Sequence, residues 1–140
     1  MRKQKIRIYL AFTIILFLGA SCSTGPNSSP GAAVVLAMDA IVKQDIQLLI
    51  QATHGSRSDA ANPREIGVTM NKIIEQFSLG RNTKVSIDRT FKGDKGLEAT
   101  VYFSLAQDGK EERFVMRAER KGVEWVAILD SIAKTEKAVW

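Results

Sequence analysis

Apolar residues in this chain recur every three to four positions from Val34 to Phe77, and at every second position after Thr83. That change of period fixes most of what the chain can fold into. Before it, Val34, Val35, Met38, Ile41 and Val42 share one face of "GAAVVLAMDAIVKQ", and Ile66, Met70, Ile73, Ile74 and Phe77 share one face of a later stretch. After it, Val85, Ile87 and Phe91 alternate, and Leu97, Ala99, Val101, Phe103 and Leu105 form the longest clean alternation. Phe114, Met116 and Ala118 carry the pattern on, and Val123 to Leu129, with Trp125, closes it. Helices come first and strands second, so the spacing predicts an α+β fold.

Local signals place the boundaries. Ser29-Pro30 reads as an N-cap followed by proline at the first helical position. Asp45 is a second cap, ahead of Ile46, Leu49 and Ile50, and "THGSRSDAANP" reads as a loop. Asn62-Pro63-Arg64-Glu65 has capping-box spacing and opens the third helix, which Gly80 ends. Lys92 to Gly96, Asp108-Gly109 and Lys121-Gly122 turn the chain between strands. The result is a four-stranded antiparallel meander. The helices cover one sheet face, and Glu98, Thr100, Tyr102 and Ser104 point from the other into water. We expect a single domain over 31–130 and a tail over 131–140. In that tail Trp140 is a surface or partner contact.

The first residues are of a different kind. Arg2, Lys3, Lys5 and Arg7 precede the apolar run from Ile8 to Leu18. Such a run spans about 16 Å as a helix, against roughly 30 Å of hydrocarbon, and so reads as a secretory signal rather than a membrane span. These four cations also account for most of the net charge of +5. From Cys22 onward 16 Lys and Arg face 15 Asp and Glu. A nucleic-acid binder needs a basic stripe on its folded domain, and this chain has none to spare. Cys22 is the single cysteine, so disulfides and zinc-cysteine sites are excluded from the folded part.

"LGASC" resembles the lipobox of bacterial lipoproteins, in which small residues precede a cysteine that is diacylated and becomes the mature N-terminus. Ala20 and Ser21 match it, while Gly19 stands where leucine is common. The resemblance implies a signal peptide over 1–21, lipidation at Cys22 and a membrane anchor. Two acyl chains hold stably where one is marginal. "STGPNSSPG" has the composition of a flexible tether, which we place at 22–30. Ser23 after Cys22 is similar to the outer-membrane sorting pattern, so the expected location is the cell envelope, facing the periplasm in a Gram-negative cell.

The order of elements, with "AVVLAMDAIVKQDIQLLIQAT" as a helix pair, "NPREIGVTMNKIIEQF" as the third helix and hairpins ending in "VEWVAIL", resembles the nuclear-transport-factor-2-like (cystatin-like) superfamily. It is similar above all to small bacterial lipoproteins of that superfamily whose function is unassigned. The likeness covers roughly residues 29–130 and rests on element order and on Gly122 to Trp125, with no catalytic motif. It implies a bent sheet wrapped on helices, an interior cone whose open end binds a small molecule or a partner, and homodimerisation through the sheet face.

Three polar residues are candidates for a site. His54, the only histidine, reads either as a general base or ligand in the loop over the cone or as a solvated loop residue, and we favour the second. With no second histidine and no carboxylate at ligand spacing, no metal or cofactor is expected. Arg89 is the one polar residue in phase with Val85, Ile87 and Phe91. It either lines a pocket for an anionic group or marks a bend that returns it to solvent, and we favour the bend. Asp39 lies beside the apolar helix face, within reach of Arg89 across the cone mouth. The expected function is a non-enzymatic binding module for a small apolar ligand or an envelope protein. The alternative is a small enzyme of the ketosteroid-isomerase or dehydratase type built on these three residues.

Overall fold

Ser29 accepts a hydrogen bond from the Ala32 amide at 3.1 Å, and Pro30 follows it as the first residue of helix α1, Pro30–Lys43. This is the start that the Ser-Pro pair predicts. The computed structural model describes residues 25–135. Cys22, the segment expected as a signal peptide, and Trp140 lie outside the described residues. Gln44 ends α1 in the left-handed region, and Asp45 then caps helix α2, Ile46–His54, by accepting from the Leu48 amide at 3.1 Å. The loop expected next contains a short 3-10 helix, Gly55–Ala60. Asn62 caps helix α3, Pro63–Phe77, through the Arg64 amide.

Four strands follow, β1 Lys84–Lys92, β2 Glu98–Gln107, β3 Lys110–Lys121 and β4 Glu124–Thr135, paired antiparallel in the order β1-β2-β3-β4. Asp108 and Gly109 both have positive φ, as a two-residue primed hairpin turn requires. The sheet is open. Val101, Phe103 and Leu105 of β2 and Phe114 and Met116 of β3 face the helices and pack on Val34, Met38, Ile41, Leu49, Met70 and Ile73 in one core. A smaller cluster of Ala33, Ala99, Ala118 and Trp125 brings α1 against the far end of the sheet, where small side chains admit the helix closely.

Two irregularities bend the sheet. Ile87 pairs with Phe103, but Arg89 pairs with Tyr102, so Asp88 is an extra residue in β1. In β4, Val115 pairs with Ala133 and Arg117 with Ile128, leaving Leu129 to Ile132 opposite Met116 alone. There Ser131 Oγ accepts from the Arg117 amide at 2.8 Å and donates to the Ile128 carbonyl at 2.5 Å, replacing ladder bonds that the bulge removes. The strand continues to Thr135, past Leu129, where the periodicity closes, and past the domain end expected at 130.

The bulge at Asp88 also inverts the phase of β1. Thr90 and Lys92 now stand opposite Val101 and Ala99 on the helix side, while Arg89 and Phe91 stand opposite Tyr102 and Thr100 on the outer side. Phe91, expected inside, is 46 % exposed and packs edge-on against Tyr102 at 5.7 Å. Ser104, expected in water, is buried and donates to Asp88 Oδ2 at 2.5 Å.

Candidate functional site

Aromatic rings pack together in the interior of the fold. Phe77 meets Phe114 edge-on at 5.0 Å, and Phe114 stacks on Phe103 at 5.7 Å between centroids. At the mouth beyond these rings lies a recess of about 270 Å³, lined by Phe77, Leu79, Leu105 and Phe114 with Asp108, Lys110 and Glu112 at its rim. Gln107 lines this recess and braces it. Its amide donates to the Ser78 carbonyl at 2.8 Å, and its Oε1 accepts from the Gly80 amide at 2.7 Å and from Thr83 Oγ1 at 2.5 Å. One side chain thus fixes the turn from α3 into β1 across the opening.

The larger concave surface lies outside the core, between α1 and the edge strand β1. It is an open groove of about 660 Å³ whose walls include Pro26, Pro30, Val35, Leu36, Ile87 and Thr90, with Asp39 and Lys92 also on it. Its size falls within the range typical of small-ligand pockets, about 300–1,000 Å³. Two features shape it. Gly31 carries no side chain on its floor, where a Cβ would lie in ordinary contact, 3.7 Å from Ile87 and 3.8 Å from Thr90. The bulge then turns Phe91 away to the outer face, leaving Ile87 (36 % exposed) and Thr90 to line the strand side.

The segment before α1 forms one wall. Gly25 and Pro26 line the groove, and Asn27 is buried. Its side-chain amide donates to the Trp125 carbonyl at 2.8 Å and to the Gln51 carbonyl at 3.2 Å, while the Trp125 amide donates to the Asn27 carbonyl at 2.8 Å. Residues read from composition as tether are in this way docked on β4 and on the end of α2. A lone asparagine in a Ser/Gly/Pro run gives no sign of this in sequence.

The three sequence-predicted polar residues fall in three places. Asp39 lies on the groove, where it accepts from Lys43 Nζ at 2.9 Å, one turn along α1. Arg89 is on the outer sheet face, with its guanidinium 5.7 Å from the Phe91 ring. The bend favoured for Arg89 is the bulge at Asp88, and no ion pair joins it to Asp39 among the described residues. His54 is the last residue of α2 rather than part of a loop, and its Nδ1 lies 2.8 Å from Thr53 Oγ1. Beside it, Glu124 Oε2 accepts from both the amide and the hydroxyl of Ser56, at 3.0 and 2.8 Å. These bonds hold its carboxyl below the ordinary value of 4.5, with burial opposing them weakly. No group of three or more His, Cys, Asp or Glu that could hold a metal ion occurs among the described residues.

No protein-family model matches the chain, and no curated protein matches it by sequence. A solved structure similar to it is that of the phospholipid-binding protein from Ralstonia solanacearum in complex with a phospholipid. It is 14 % identical, with a TM-score of 0.45, over 71 % of this chain and 75 % of that one.

Proposed function

We propose that this chain is a lipid-anchored protein of the bacterial cell envelope that binds a small apolar ligand in the α1–β1 groove and performs no chemistry on it. In this reading residues 1–21 are removed, Cys22 is acylated, and the domain faces the periplasm from the outer membrane of a Gram-negative cell. The order of three helices and four strands is the basis for reading the domain as one of the nuclear-transport-factor-2-like superfamily, and "LGASC" is the basis for reading the anchor. The observation that carries the binding role is the placement of apolar surface. The interior that such a fold would offer to a ligand is occupied by Phe77, Phe103 and Phe114, whereas the groove exposes Val35, Leu36 and Ile87 in a concave surface of about 660 Å³. The separation of Asp39, Arg89 and His54 supports binding over catalysis, because acid–base work needs its groups within hydrogen-bond reach of one substrate.

The experiment is a titration of the purified protein with N-phenyl-1-naphthylamine, an uncharged apolar fluorophore, together with an intact-mass measurement. Saturable fluorescence enhancement, reduced by about tenfold or more in affinity by Ile87→Asp, is expected, since a charge on the groove wall opposes apolar burial. The mass should be that of a diacylated chain beginning at Cys22. No saturable binding refutes the groove reading, and an unmodified mass refutes the anchor.

A further inference from the structure

Lys92 ends β1 on the helix side of the sheet and lies on the groove. Its ammonium stands 5.9 Å from the centroid of the Trp125 ring and makes no ion pair among the described residues. Asp39, the carboxylate on the groove, is already matched by Lys43. The groove therefore has an uncompensated positive charge at one place, a neutralised pair at another, and apolar walls between.

The position of Lys92 matters as much as its charge. Trp125 is the residue whose backbone is bonded to Asn27, so Lys92 stands close to where the amino-terminal segment reaches the domain. Gly25 and Pro26 of that segment line the same groove. Cys22 precedes Gly25 by three residues, a reach of about 10 Å at full extension. An acylated Cys22 would keep this part of the groove within that distance of a bilayer surface. Anionic headgroups there attract a nearby lysine.

We infer that the groove takes one acyl chain of an anionic phospholipid from the bilayer to which the protein is anchored, with the headgroup phosphate on Lys92 and the chain along Val35, Leu36 and Ile87. The inference rests on the groove reading above and names its ligand class. The phosphate supplies the counter-charge that Lys92 lacks, and the chain covers the apolar walls.

The test uses the full lipidated protein in a non-ionic detergent, titrated with phosphatidylglycerol and phosphatidylcholine that carry the same pyrene-labelled acyl chain. Phosphatidylglycerol should bind about fivefold tighter, the scale of one partly exposed charge pair. Lys92→Gln should erase that preference by weakening phosphatidylglycerol more than phosphatidylcholine, whose choline cation already offsets its phosphate; Lys92→Arg should keep it, and Ile87→Asp should weaken both lipids. Equal binding of the two headgroups, or a preference that survives Lys92→Gln, overturns the Lys92 assignment and leaves the apolar groove standing. Failure of both lipids to bind overturns the inference, and the N-phenyl-1-naphthylamine titration then shows whether the groove reading falls with it. Displacement by dodecanoate as effective as by unlabelled phosphatidylglycerol makes the ligand a free fatty acid and overturns the bilayer source.

Discussion

Asn27 and Trp125 are joined by two hydrogen bonds of 2.8 Å: the Trp125 amide donates to the Asn27 carbonyl, and the Asn27 side-chain amide donates back to the Trp125 carbonyl. The second proton of that amide reaches the Gln51 carbonyl at 3.2 Å. A single side chain thereby closes the segment before α1 onto β4 and α2, and it holds Gly25 and Pro26 in the groove wall.

Asn27→Ala should lower the unfolding free energy by about 1–3 kcal/mol, because the Trp125 carbonyl loses its donor at a buried place, while the Gln51 carbonyl keeps the Gly55 amide. Urea unfolding followed by Trp fluorescence measures it. The same variant should bind N-phenyl-1-naphthylamine more weakly, since the groove loses a fixed wall. Unchanged stability would mean that the clamp contributes nothing.

Glu124 and Gly55 form a second fixed contact. Gly55 has φ +56 and ψ −127, and a Cβ there would lie 2.6 Å from Glu124 Oε2. Gly55→Ala should cost on the order of 1–3 kcal/mol, from backbone strain and from displacement of Glu124. The bonds from Ser56 depress the Glu124 pKa in the folded state. The contribution is then full above the ordinary carboxylate value near 4.5, and it is lost as pH falls through the lower folded value. The effect is small because the carboxylate is screened by water. Acid unfolding of the wild type and of Glu124→Gln should converge at low pH and separate above it, with the wild type more stable. Parallel curves would contradict the assignment.

Arg89 and Asp39 offer a test of the β1 bulge. Arg89 faces outward beside Phe91, and Asp39 is bonded to Lys43 on α1. A double-mutant cycle of Arg89→Ala and Asp39→Ala should give a coupling below about 0.5 kcal/mol, as for residues with no shared partner. A larger coupling would place Arg89 on the helix side and remove the bulge at Asp88.

That bulge shows where sequence reading stops. The alternation of Val85, Ile87, Arg89 and Phe91 is unbroken as a string, yet the strand changes face within it, because Asp88 is paired with no residue of β2. Such an insertion is set by the partner strand and leaves no mark in local composition. The groove went unseen for the same reason, since Ile87 reads as core and Gly31 as an ordinary helix residue. What depends on neighbours in sequence was legible: the caps at Ser29, Asp45 and Asn62, the Asp108-Gly109 turn, the order of elements and the filled helix face of β2. Contacts that join distant residues were not, including Gln107 across the mouth, Ser131 in the β4 bulge and Asn27 on Trp125.

The most direct test of the account is amide chemical-shift mapping of the protein during titration with N-phenyl-1-naphthylamine. The account predicts saturable shifts at Gly31, Val35, Ile87 and Thr90, with Phe103, Leu105 and Phe114 unmoved. Shifts centred on Leu105 and Phe114 would place the ligand in the interior, and would contradict the claim that this fold binds in its outer groove.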